Sequence, residues 1–149
     1  MLLLLFEIGE GRYAMGIDEI VEIVPFVKLK KIPMAQNYVA GLMNYRGNPI
    51  PVVDLNKLIE GTPSEPRLST RIIIIRYFWN DEEGESLLGL IAHQITETIK
   101  TELKSIPTSG VLMDEALYRD RIESDDEGMV QWFDVKRMLP AGEISMLFQ

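Results

Sequence analysis

The chain predicts an all-β domain, a barrel or a sandwich, and three observations carry that expectation. Short runs rich in β-branched and aromatic residues recur along it, Gly, Pro and Asn punctuate them at close intervals, and the spacing is not that of alternating strands and helices. Its 149 residues suit a single domain, 1–149, able to bury a core without disulfide or metal staples.

The elements follow in order. Residues 2–8, a leucine-rich run, read as a buried strand. An export signal would want a basic lead and a longer apolar stretch, whereas Glu7 interrupts this one and no basic residue precedes it. Gly9 and Gly11 punctuate a hairpin, and 12–17 return as a second strand. Residues 18–26 place apolar side chains at both helical and alternate spacing, and Pro25 stops any helix early, so a short turn leading into a strand is expected. A second hairpin runs from 39–45 to 48–55 around Arg46 and Gly47, with Asn44 and Asn48 as further turn formers. Pro49 and Pro51 put its returning strand at an edge or a sharp bend.

Residues 58–66 read as a polar connection, and the soft stretch 61–69 could divide two lobes. Beyond it RIIIIRYFW, 71–79, is the strongest strand in the chain. A charged turn at 80–84 leads to a returning strand at 87–99. The last strand is expected at 130–135, followed by a short amphipathic piece, 135–139, stopped by Pro140 and Gly142.

Composition excludes several functions. Apolar residues make up 46% and charged ones 26%, and 15 Lys and Arg against 23 Asp and Glu leave a net charge of -8. That field repels phosphate backbones, and the basic residues do not cluster, so nucleic acid is not an expected partner. There is no cysteine, hence no thiol nucleophile and no Cys-based zinc site, in keeping with a reducing cytoplasm. No window approaches the roughly 20 apolar residues of a membrane span.

Catalytic signals are also missing. The single histidine, His93, lies inside a strand pattern, where a packed or surface role outweighs catalysis. No serine sits in a Gly-x-Ser-x-Gly elbow and no glycine-rich loop has phosphate-cradle spacing. One metal pattern stands out: ESDDEGMVQWFD, 123–134, sets acids at the first, third, fifth and twelfth positions and a glycine at the sixth, like a calcium-binding loop. Its first residue is Glu where Asp is wanted, and Asp134 is too short for the usual bidentate Glu. A solvated acidic turn is therefore expected, with a small-ligand or calcium-binding domain as the alternative function and no metal ligand assigned.

What remains is YVAGLMNYRGNPIPVVDL, 38–55, an apolar hairpin holding only two charges, Arg46 and Asp54. Its tip presents a ring and a planar guanidinium, the side chains that dominate protein–protein hot spots. Arg46 could equally cap the turn or pair with Glu22.

This stretch resembles the signature of the CheW family of chemotaxis coupling proteins: Gly, two apolar residues, Asn, Leu, Arg and Gly, then an apolar strand ending Pro-Val-Asp-Leu. FEIGEGRYAMGIDEIVEIV resembles the family's opening strands, LKKIPMAQNYVAG its Ile-Pro connection, LLGLIAHQITETI its second-half strand and QWFDVKRML its closing strand and helix. The resemblance covers about 3–139 and sets 140–149 apart as a C-terminal tail.

It implies two intertwined five-stranded SH3-like β-barrels with short helices, and no enzymatic activity or cofactor. It also implies an adaptor that joins the cytoplasmic tip of a chemoreceptor to the regulatory domain of a CheA-type histidine kinase, in the cytoplasm at membrane receptor arrays. By motif position the receptor groove would take Ile20, Glu22 and Ile23 on one wall and Asn44 and Arg46 on the turn beside it, with Gly41 and Gly47 as structural turn residues and the kinase-facing surface unassigned. Two departures from the pattern, Tyr45 for the usual Leu and His93 for the common Asp, leave the array's output, motility or another, open.

Overall fold

The computed structural model describes residues 2–79, 84–99, 103–105 and 122–148. Among these, ten strands form one continuous hydrogen-bonded system that folds into two interlocked halves. β1 (Leu2–Ile8) and β2 (Gly11–Gly16) form the first hairpin. A 3-10 turn over Ile17–Glu19 then leads into β3 (Ile20–Pro25), as the early proline implied. β4 (Val39–Tyr45) and β5 (Asn48–Asp54) form the second hairpin. After β6 (Thr70–Phe78) comes β7 (Glu85–Ile99). The expected charged turn between them lies outside the described residues except for Gly84, whose carbonyl accepts from Trp79 N–H at 2.7 Å. β8 (Lys104–Ser105), β9 (Ile122–Asp125) and β10 (Gly128–Trp132) complete the sheet.

β7 belongs to both halves. Its first part pairs with β6 along Glu85 to His93, and with β5 at Gly89 to Ile91. Its second part pairs with β1. The changeover falls at Gln94, whose φ of 51° marks an irregularity where β7 leaves one partner for the other. The first barrel is therefore β1, β2 and β8–β10 with the far part of β7, and the second is β3–β6 with its near part. Chain order interlaces them, which corrects the expectation that 61–69 could separate two lobes. That segment joins two strands of the same barrel, and Ser64 within it is held by Asp54, N–H to Oδ2 at 2.8 Å and hydroxyl to Oδ1 at 2.5 Å.

Continuous apolar runs are explained by three cores that share strands. In β6, Ile73 and Ile75 face a central cluster with Phe6, Met15, Leu88 and Leu90, while Ile72 and Ile74 face the second barrel's own core with Met43, Ile50 and Val52. In β1, Leu4, Phe6 and Ile8 join the central cluster, and Leu3 and Leu5 join the first barrel's core with Ala14 and Val130. A strand buried on both faces needs no polar alternation. Fully burying each such side chain contributes about 1.5–3 kcal/mol.

Other details depart from the sequence reading. Part of the expected connection at 58–66 is helical: α1 (Leu55–Glu60) starts at Asp54, whose carboxylate accepts from Asn56 and Lys57 N–H groups, and stops at Gly61 with φ 84°. The last strand ends at Trp132 instead of 135, because Asp134 caps α2 (Val135–Met138). The expected tail also packs. α3 (Ala141–Ser145) buries Ile144, Tyr38 donates to Glu143 Oε1 at 3.0 Å, and Phe148 stacks on Tyr77 and Trp79 with ring centroids 6.1 and 6.0 Å apart. Among the described residues no helix is long and apolar enough to cross a membrane.

Candidate functional site

The β4–β5 turn has a two-residue loop, since Tyr45 pairs with Asn48. Arg46 and Gly47 both take positive φ, 50° and 85°, as the tight turns that match strand twist require. Asn44 Oδ1 accepts the Gly47 N–H at 2.9 Å and so helps close the turn. Gly41, expected in the turn, instead lies within β4 at a register irregularity with φ 144°. A Cβ there would come within 2.5 Å of the Lys30 carbonyl oxygen, whose strand-like bridge to Leu42 carries the β3–β4 connection along β4. Its role is close approach of two backbones.

Glu22 lies across from this turn on β3, which among the described residues pairs only with β6 and so presents a sheet edge. Tyr45 donates its phenolic hydrogen to Glu22 Oε2, and Arg46 Nη2 reaches the same oxygen at 3.4 Å. The Arg46 guanidinium carbon also sits 5.2 Å from the centroid of the Tyr45 ring, within cation–π range. Bonding to the Glu22 carboxylate, then burial, holds the Tyr45 phenol above its ordinary pKa of 10.0. The tyrosine ring is buried at 8% exposure, whereas the Arg46 side chain is 74% exposed and that of Glu22 40%.

Pairing divides the other expected wall residues. Ile20 and Ile23 lie opposite Ile75 and Ile73 and pack on the central cluster, while Glu22 and Val24 lie opposite Ile74 and Ile72 on the other face. The irregularity between Ile20 and Glu22 shifts the register, so these three residues do not form one flat wall. They share the edge strand, with Ile20 and Ile23 on one face of it and Glu22 on the other.

The remaining candidates are structural. His93 is buried where β6, β7 and β1 meet, with Nδ1 2.8 Å from Thr70 Oγ1. Burial, then the nearby charge of Arg67, lowers its pKa below the ordinary 6.5. The acidic run at 123–134 forms the β9–β10 hairpin and the N-cap of α2. Asp125 is engaged by Arg12 through two parallel hydrogen bonds of 2.7 and 2.5 Å, which keep its carboxyl below its ordinary pKa.

The site is thus a charged, ring-backed hairpin tip beside a sheet edge on an all-β pair of barrels. The family model for the CheW-like domain matches residues 2–143, so the chain belongs to the CheW family. A chemotaxis protein CheW of Bacillus subtilis is 27% identical over 140 residues, spanning 92% of this chain and 85% of that protein. Another, of Helicobacter pylori, is 30% identical over 105 residues, spanning 68% of this chain and 60% of that protein. The crystal structure of the scaffolding protein TtCheW from Thermoanaerobacter tengcongensis shares the fold, with a TM-score of 0.70 over 96% of this chain and 91% of that one at 24% identity.

Proposed function

We propose that the chain is a non-enzymatic adaptor that couples a chemoreceptor's cytoplasmic tip to the regulatory domain of a CheA-type histidine kinase. The receptor docks along the β3 edge and the β4–β5 turn. Membership of the CheW family, matched over 2–143, supports the coupling role. The observation that supports the site is the convergence of Tyr45 and Arg46 on one carboxylate oxygen of Glu22 at a sheet edge.

Each candidate then has a part. Ile20 and Ile23, partly buried on the central cluster, supply apolar contact of the kind that seats an amphipathic helix in a groove. Arg46 and Glu22 supply a donor and an acceptor side by side, which fix the docked register. Asn44 and Gly47 hold the turn that presents Arg46. Such an adaptor works in the cytoplasm and is drawn to membrane arrays by its partners.

Titration of the kinase regulatory domain and of a receptor tip against wild type, Arg46→Ala and Glu22→Arg tests the site. Both variants should fold, keep wild-type affinity for the kinase domain and lose about tenfold or more in receptor affinity. Wild-type receptor binding by both folded variants would place the receptor site elsewhere.

A further inference from the structure

We infer that Tyr45 is a positioning residue for the receptor face, holding Glu22 through its hydroxyl and Arg46 through its ring in one arrangement before a partner arrives. This rests on the proposed receptor site and adds to it a residue outside the Ile20, Glu22, Ile23, Asn44 and Arg46 set.

The inference follows from what Arg46 and Glu22 would do alone. Their side chains are 74% and 40% exposed and approach only to 3.4 Å, and a solvated pair of this kind holds two long side chains weakly. Tyr45 changes that because it touches both. Its hydroxyl donates to Glu22 Oε2, the same oxygen Arg46 approaches, and its face lies 5.2 Å from the guanidinium carbon. The ring itself is fixed, since Tyr45 is buried in the second barrel's core with Met43, Ile50 and Ile74.

A rigid aromatic thereby links that core to the exposed ion pair. Among the described residues Glu22 Oε1 makes no hydrogen bond, so the locked pair offers a carboxylate oxygen and guanidinium N–H groups at adjacent points. A receptor segment presenting one donor and one acceptor side by side is the complementary chemistry. Ordering these side chains beforehand removes an entropic cost from docking.

The test uses Tyr45→Phe, which keeps the ring and its packing but removes the hydroxyl, with Glu22→Gln, the double variant and Arg46→Ala. The intact chain is titrated against a receptor tip and against the kinase regulatory domain. Tyr45→Phe should weaken receptor binding about three- to tenfold and leave kinase affinity and melting temperature at wild-type values. Glu22→Gln should cost less in the Tyr45→Phe background than alone, because the two act through one contact.

If Arg46→Ala lowers receptor affinity while Tyr45→Phe does not, the positioning role is wrong and the receptor site stands. If Arg46→Ala binds the receptor as wild type does, the site itself is wrong. Parallel loss of kinase binding and melting temperature in Tyr45→Phe would make the tyrosine a packing residue and overturn the inference.

Discussion

Arg46 holds a left-handed backbone conformation that most residues with a Cβ disfavour, at φ 50° in the first position of a two-residue hairpin where Asn or Gly is preferred. A glycine would fit without strain, so Arg46→Gly should raise unfolding free energy by about 0.5–1 kcal/mol in urea titration while receptor affinity falls. Lower stability would mean that the ion pair outweighs the strain. His93 belongs to a different balance. Buried neutral in the fold and freer in the unfolded chain, it leaves the unfolded state binding more protons, so its contribution is complete above 6.5 and is lost as pH falls below that value. The urea midpoint should therefore drop from pH 7.5 to 5.5, and drop less in His93→Asn. Glu19, whose pKa burial raises above 4.5, acts in the opposite sense, so the difference between the two proteins is the quantity that reports His93.

Elements show where local sequence carries meaning and where it does not. The hairpin around Arg46 and Gly47 is legible because turn chemistry and apolar runs are both local. Pro49 and Pro51 likewise sit where β5 has β4 beside it but has not yet reached β7, so their missing N–H groups interrupt no ladder there. Helix α1 was legible in principle from Asp54 and Gly61 flanking LNKLIE, but six residues carry too little periodicity to stand out beside the prolines. Strands β8 and β9 carry no apolar run of their own and exist because β10 offers β9 an edge, which only the fold reveals. Gly41 reads as one more turn residue until Lys30 is seen against it. Gly41→Ala should destabilise by about 3 kcal/mol or more, or prevent folding, since backbone cannot yield as a side-chain tip can. A melting temperature near wild type would show that the two segments can part without loss.

At the scale of the whole molecule, the all-β class follows from the runs and their punctuation, while the interlocking of two barrels does not, because pairing partners far apart in the chain leave no local trace. It rests here on β7, which pairs with β6 up to His93 and with β1 from His93 onward, and on a central cluster drawn from both barrels. The candidate site is divided in the same way. Arg46 and Glu22 could be paired from sequence, but the opposite facing of Glu22 and Ile23 depends on a register shift in β3, and the part played by Tyr45 depends on where its hydroxyl ends. The proposed coupling role requires the chain to carry two partners at once. The most direct measurement is sedimentation of the protein with a saturating kinase regulatory domain and increasing receptor tip. Coupling predicts a ternary complex in which the receptor tip binds without displacing the kinase domain, and its loss with Arg46→Ala while the kinase complex persists. Displacement of one partner by the other, or a ternary complex indifferent to Arg46, would contradict the account.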